Sequence, residues 1–199
     1  MYASTEIRWF FEKENDQIID WFARKGISYQ SIRKRTDHYL RYGQEDIGIK
    51  LREGRVEVKC RTSVPEERAV GSRADGYLES WTKWSFGITR QDPWAEKIIN
   101  LQIGKNEWIT VDKWRLGVKR TYDEKGALIF RNISDNVPSA CQIEFTRLLV
   151  NGSTYFTFGI EWYGETFVPL GAPALDGILG DSVFSHDQSM GYAAFLMKI

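Results

Sequence analysis

The chain has 199 residues, enough for one domain with a sizeable core, and its 42% apolar and 27% charged content excludes a disordered polymer. Lysine plus arginine equals aspartate plus glutamate, so the formal net charge is zero and bulk charge draws the chain neither to nucleic acid nor to an anionic membrane. Two cysteines, Cys60 and Cys141, make no disulfide framework, and no apolar run approaches the roughly 20 residues that span a bilayer.

The first strand is predicted over Thr5 to Phe11, followed by a helix that starts at Asn15 or Asp16 and stops at Gly26. Ile18, Ile19, Trp21 and Phe22 form its buried side. A second strand is expected over Ser31 to Tyr42, with Arg33, Arg35, Asp37 and Tyr39 on one parity and Lys34, Thr36, His38 and Leu40 on the other. Pattern alone does not choose its inward face.

Ile47 to Arg61 alternates strictly and turns at Glu53-Gly54-Arg55, which predicts an antiparallel hairpin. Thr62 to Gly76 is polar and broken by Pro65, Gly71 and Gly76, and reads as a surface loop. Tyr77 to Thr89 resumes as a strand with Trp81 and Trp84 on opposite parities, so one of the two faces inward. Asp92-Pro93 is a helix start, running to about Leu101 or Ile103 before Gly104.

Trp108 to Tyr122 predicts a long strand with Lys113, Arg115, Gly117 and Lys119 on one side. Cys141 to Val150 and Thr154 to Tyr163 flank Asn151-Gly152, the strongest two-residue hairpin signal. After Pro169 a loop is expected, then a terminal helix from about Asp187 to Lys198. Cys60 shares the apolar parity of Val56 and Val58 and is expected to be buried, and His38 and His186 are too scattered for a zinc site. The chain carries no basic segment leading into an apolar stretch at its N-terminus, so a cytoplasmic location is expected.

Five of these segments are charged at every second residue. One such face is ordinarily a solvated sheet surface with cross-strand ion pairs. Five in one domain, each backed by an apolar parity (Ile7, Trp9 and Phe11; Ile49 and Leu51; Val56 and Val58; Trp114 and Leu116; Ile143 and Phe145), fit a barrel with a polar lumen and helices outside. The predicted fold is therefore α+β: a closed or nearly closed antiparallel barrel of about eight strands, one domain over 1–199, with 164–199 as a loop and helix extension.

Arg8, Lys50, Arg52, Lys59, Arg61, Lys113 and Arg115 fall on the charged parities and suit phosphate oxygens, while Glu6, Glu57, Glu144 and Glu161 interleave with them as possible ligands of a hard divalent cation. In the order of these elements the chain resembles the triphosphate tunnel, or CYTH, superfamily, which includes thiamine triphosphatases, inorganic triphosphatases, RNA triphosphatases and some adenylate cyclases. The resemblance spans Thr5 to Tyr163 and rests on the Glu6 strand, Asp37-His38-Tyr39-Leu40, the Lys50-Leu51-Arg52 and Glu57-Val58-Lys59-Cys60-Arg61 hairpin, Lys113-Trp114-Arg115, and the strands bearing Glu144 and Glu161.

It implies an eight-stranded tunnel that grips a small polyphosphate or nucleotide-like ligand, with Glu6, Glu144 and Glu161 holding Mg²⁺ or Mn²⁺, and Glu6 and Glu161 acting in hydrolysis of a phosphoric anhydride. The family's early E-x-E-x-K is here Glu6-Ile7-Arg8-Trp9-Phe10, and Gly159 stands two residues before Glu161, where a carboxylate is expected. Those departures favour an alternative, an anion-binding or regulatory module without turnover. A third reading, a lipocalin-like carrier of an apolar ligand, requires the apolar parity to face inward.

Overall fold

The structure is a computed structural model that describes residues 2–87 and 107–199. Ten strands lie in them: β1 (Tyr2–Phe11), β2 (Arg35–Leu40), β3 (Ile47–Arg52), β4 (Arg55–Arg61), β5 (Glu66–Val70), β6 (Ala74–Gly87), β7 (Trp108–Tyr122), β8 (Leu128–Asn132), β9 (Ala140–Val150) and β10 (Ser153–Tyr163). Eight of them form a ring in the order β1-β10-β9-β7-β2-β3-β4-β6, closed where β6 pairs β1, and every pairing is antiparallel. β5 and β8 hang outside the ring on β6 and β7. A closed α+β barrel is thus what the alternation encodes: each strand has one face for the lumen and one for an outer layer.

Two helices supply that outer layer. α1 (Asp16–Ala23) starts where Asn15 accepts a hydrogen bond from the Ile18 N–H, satisfying one of the free donors of its first turn. α2 (Ala172–Leu179) buries Leu175, Ile178 and Leu179. Together with Ile18 and Phe22 of α1 they cover Ile7, Trp9, Leu116, Ile143, Phe145 and Ile160 on the outer face of β1, β7, β9 and β10. Ile49, Val56 and Val58, on the outer face of β3 and β4, belong to neither of the two core clusters of the described residues.

The third helix, α3 (Tyr192–Lys198), lies across one end of the ring. Phe195 and Leu196 pack on the inward-facing Phe10, Tyr39, Ile109, Val111, Leu148 and Val150, with the Phe195 and Phe10 rings stacked 4.0 Å apart. The chain reaches this end through a split in the wall. Direct β1–β6 pairing stops at Glu6 and Glu79, and below that point residues 184–190 occupy the gap. There Met190 N–H donates to the Arg8 carbonyl (3.0 Å), Tyr77 N–H to Ser189 Oγ (2.8 Å) and Asp75 N–H to the Phe184 carbonyl (2.9 Å).

Several expectations are corrected. Residues 62–76, read as loop, contain β5 and the start of β6; β5 is exposed along most of its length and owes its form to pairing with β6, so it shows no alternation. The second strand is shorter than Ser31 to Tyr42, because Tyr29–Ser31 is a 3₁₀ turn. The terminal helix starts at Tyr192 rather than near Asp187, where His186–Gln188 is again 3₁₀, and α2 occupies part of the expected loop. Cys60 is half-buried, on the outer face of β4, whereas Cys141 is fully buried and its thiol is pushed up to about 12 by burial. The Asp92–Ile103 helix and the last two residues of the Tyr77–Thr89 strand lie outside the described residues. No helix among the described residues is long and apolar enough to cross a membrane.

Candidate functional site

The lumen encloses a cavity of about 590 Å³, within the size range of small-molecule sites. Its register explains which side chains reach it. Lys50 stands opposite Glu57, Gly48 opposite Lys59 and Arg35 opposite Lys113, so the charged parities of β2, β3, β4 and β7 all point the same way. On β2 the inward parity is that of Arg35, Asp37 and Tyr39, the choice that pattern had left open. Tyr192 and Ala193 of α3 form the floor.

Nine basic side chains and four carboxylates line this space among the described residues. Six of the seven predicted phosphate ligands are among them: Arg8, Lys50, Arg52, Lys59, Lys113 and Arg115. Arg61 is not. It is drawn aside by Glu79 (2.8 Å) and Glu45 (3.1 Å) and does not line the cavity. Sequence reasoning missed Arg35, Lys83 and Lys119. The signal for Lys119 was present, since it continues the parity of Lys113 and Arg115.

At the closed end Asp37, fully buried, is shared by Lys113 (3.1 Å), Arg35 (3.0 Å) and Lys50 (3.7 Å). Burial opposes its ionisation, but Lys113, Lys50 and Arg35 overcome that and hold its carboxyl well below the ordinary range. Lys50 is held more closely by Glu57 (3.0 Å), which also takes Arg52 (2.6 Å), so Asp37 serves chiefly Arg35 and Lys113. Burial, with Lys50 and Arg35 adding to it against the pull of Asp37, drives Lys113 well below an ordinary lysine. Lys113 donates to Tyr39 Oη (2.7 Å) and sits 3.7 Å from the centroid of the Tyr192 ring.

The opposite wall is organised in two rows of side chains that run across the strands. In one, Glu161, Glu6 and Glu79 are direct neighbours on β10, β1 and β6. Glu6 is taken by Lys59 (2.7 Å) and Glu79 by Arg61, and no ion pair is recorded for Glu161 among the described residues. The second row reads Arg8, Gly159, Glu144, Gly117 across β1, β10, β9 and β7. Arg8 reaches across Gly159 to Glu144 (2.8 Å), which Arg115 also approaches (3.3 Å). Against burial, those two cations hold the Glu144 carboxyl well below the usual range.

Five donors on lining residues make no hydrogen bond among the described residues although they are buried: Arg8 Nε, Arg35 Nε, Arg52 Nε, Trp81 Nε1 and Thr146 Oγ1. Leaving such a group unpaired costs about 1–3 kcal/mol, which a ligand rich in acceptor oxygens would recover. Trp81, not Trp84, is the inward tryptophan, with the Lys59 ammonium 5.0 Å from its ring centre.

The predicted metal ligands Glu6, Glu144 and Glu161 all line the cavity, Glu6 and Glu161 as cross-strand neighbours and Glu144 in the adjoining row. Among the described residues no three Asp, Glu, His or Cys side chains are grouped to hold an ion, and Glu6 and Glu144 already serve as counter-ions to fixed cations. With Glu6 and Glu144 engaged by Lys59, Arg8 and Arg115, the set offers Mg²⁺ or Mn²⁺ one carboxylate without an ion pair among the described residues, Glu161, beside fixed cations, and so fits a divalent ion poorly.

Fold and site together define a closed eight-stranded barrel, floored at one end, whose lumen carries more cations than carboxylates. Neither a scan of protein-family models nor a search of curated proteins finds a match to the chain.

Proposed function

We propose that the protein binds a polyphosphorylated anion in the barrel lumen and is a divergent member of the triphosphate tunnel superfamily. The observation that carries this reading is the excess of nine basic side chains over the four carboxylates that line the cavity and the buried Asp37 beside them, inside a barrel of low-dielectric walls. Buried cations without matching carboxylates are unfavourable by themselves and become favourable when a multivalent anion enters. Arginine forks and lysine ammonium groups are the side chains that hold phosphate oxygens. A carrier of an apolar ligand has less support, because the charged parity lines the cavity.

A thermal-shift panel with inorganic triphosphate, ATP and thiamine triphosphate, each with and without Mg²⁺, tests the reading. A rise in melting temperature with at least one of them is expected; no rise with any would sink it. A second reading, binding without turnover, is favoured by Arg8 and Gly159 standing where carboxylates would be needed for metal-assisted hydrolysis. Measuring phosphate release in the same panel separates the two: none is expected, and release abolished by Glu6→Ala or Glu161→Ala would restore the hydrolytic reading.

A further inference from the structure

The misfit between these carboxylates and a divalent cation has a structural cause. Gly159 lies between Arg8 and Glu144 in the same row, and a Cβ there would stand 2.6 Å from Arg8 Cζ and 2.7 Å from both terminal nitrogens. The missing side chain is the space in which the guanidinium lies. From it Arg8 Nη2 reaches Glu144 (2.8 Å), Nη1 donates to Thr157 Oγ1 (3.4 Å), and Cζ sits 4.9 Å from the centre of the Tyr192 ring on the floor. Only 5% of Arg8 is exposed, and its Nε has no protein acceptor among the described residues.

Glu144 is in turn saturated, by Arg8, by Arg115 and by the Gln142 amide (3.2 Å). Glu6 holds Lys59. A ligand arriving with its own Mg²⁺ would bring a dication against Arg8, Lys59 and Lys113 and would find Glu6 and Glu144 already occupied, with Glu161 alone of the three unpaired among the described residues. A ligand without metal keeps its full negative charge and all its oxygens for the donors.

Resting on the polyphosphate reading above, we infer that Arg8, seated over Gly159, supplies from the protein the charge a divalent ion would otherwise bring, so that the lumen selects the metal-free polyphosphate anion over its magnesium complex. The pair is interdependent: arginine at 8 needs glycine at 159.

The test is titration calorimetry of the intact protein with sodium tripolyphosphate, once in EDTA and once in excess MgCl₂ at matched ionic strength. Tighter binding in EDTA, weakening several-fold with Mg²⁺, is expected. Binding that appears only with Mg²⁺ overturns this inference and leaves the binding reading standing, whereas silence in both arms removes the two together. In EDTA, Gly159→Ala displaces the guanidinium and weakens binding on the order of tenfold, the scale of one misplaced charge-assisted hydrogen bond. Equal affinity of Gly159→Ala and the native protein overturns the role given to Arg8. Should Gly159→Ala not fold, Arg8→Lys, which keeps the charge and loses the planar reach to Glu144, carries the same comparison.

Discussion

Asp37 shows how the interior charges are balanced. It is the shared counter-ion of Arg35, Lys50 and Lys113, and Asp37→Asn leaves three cations without it. Removing one partner of a buried ion pair costs about 3–5 kcal/mol, so a large fall in melting temperature is expected. Tripolyphosphate should then raise the melting temperature of Asp37→Asn by more than it raises that of the native protein; an equal or smaller rise would place the anion elsewhere. Asp37 and Glu144 both have folded pKa values below their unfolded ones, so the unfolded chain binds more protons. Their contribution is complete above about pH 4.5 and drains away as pH falls through the folded values, which melting curves taken from neutral to acid pH should record as a steepening loss. A flat acid limb would show that these ion pairs do not hold the wall. At this scale Lys50, Arg52, Lys59, Lys113 and Arg115 were legible, because a period of two assigns a face without knowledge of the neighbours. The diversion of Arg61 by Glu79 and Glu45, and the seat of Arg8 over Gly159, depend on cross-strand register, which no local pattern carries.

The two tight hairpins have the same geometry with different residues. Asn151-Gly152 has φ of 50° and 81°, and Glu53-Gly54 has 48° and 72°, so both are two-residue turns with positive φ at each position. Asparagine tolerates that conformation better than glutamate, and the exposed Glu53 contributes only a 3.9 Å contact to Arg52. Glu53→Asn should therefore stabilise the protein by about 0.5 kcal/mol, read as a small rise in the urea midpoint. A fall would mean that the turn relies on the glutamate. The helix α3 does what its own sequence does not announce: its apolar side meets the lumen end rather than the outer wall. Phe195→Ala, which deletes the ring stacked on Phe10, is expected to cost about 3–5 kcal/mol in chemical denaturation. A loss below about 1 kcal/mol would show that the floor is loosely seated. β5 and α2 escaped prediction for related reasons: β5 buries no face, and α2 is short, contains Gly177 and is held by packing on α1 and the barrel.

At the scale of the molecule, charged alternation in five segments pointed to a barrel with a wet interior, and the Asn-Gly and Glu-Gly turns fixed two of its pairings. Ring closure between β1 and β6, the split filled by residues 184–190 and the floor made by α3 are contacts between distant parts of the chain, invisible to any window of sequence. The floor gives the cavity a closed end. A second depression shares Arg35, Arg52, Lys113 and Arg115 with the lumen and adds Arg33, Lys34 and Glu53, so the surface adjoining the lumen is positive as well. A chain of zero net charge thus concentrates its cations where an anion would be enclosed. The most direct test is a crystal structure of the protein grown with tripolyphosphate in the absence of divalent metal. The account predicts phosphate groups inside the barrel, within hydrogen-bonding distance of Arg8, Lys50 and Arg115. A lumen empty of phosphate, with the ligand absent or bound on the outer face, would contradict it.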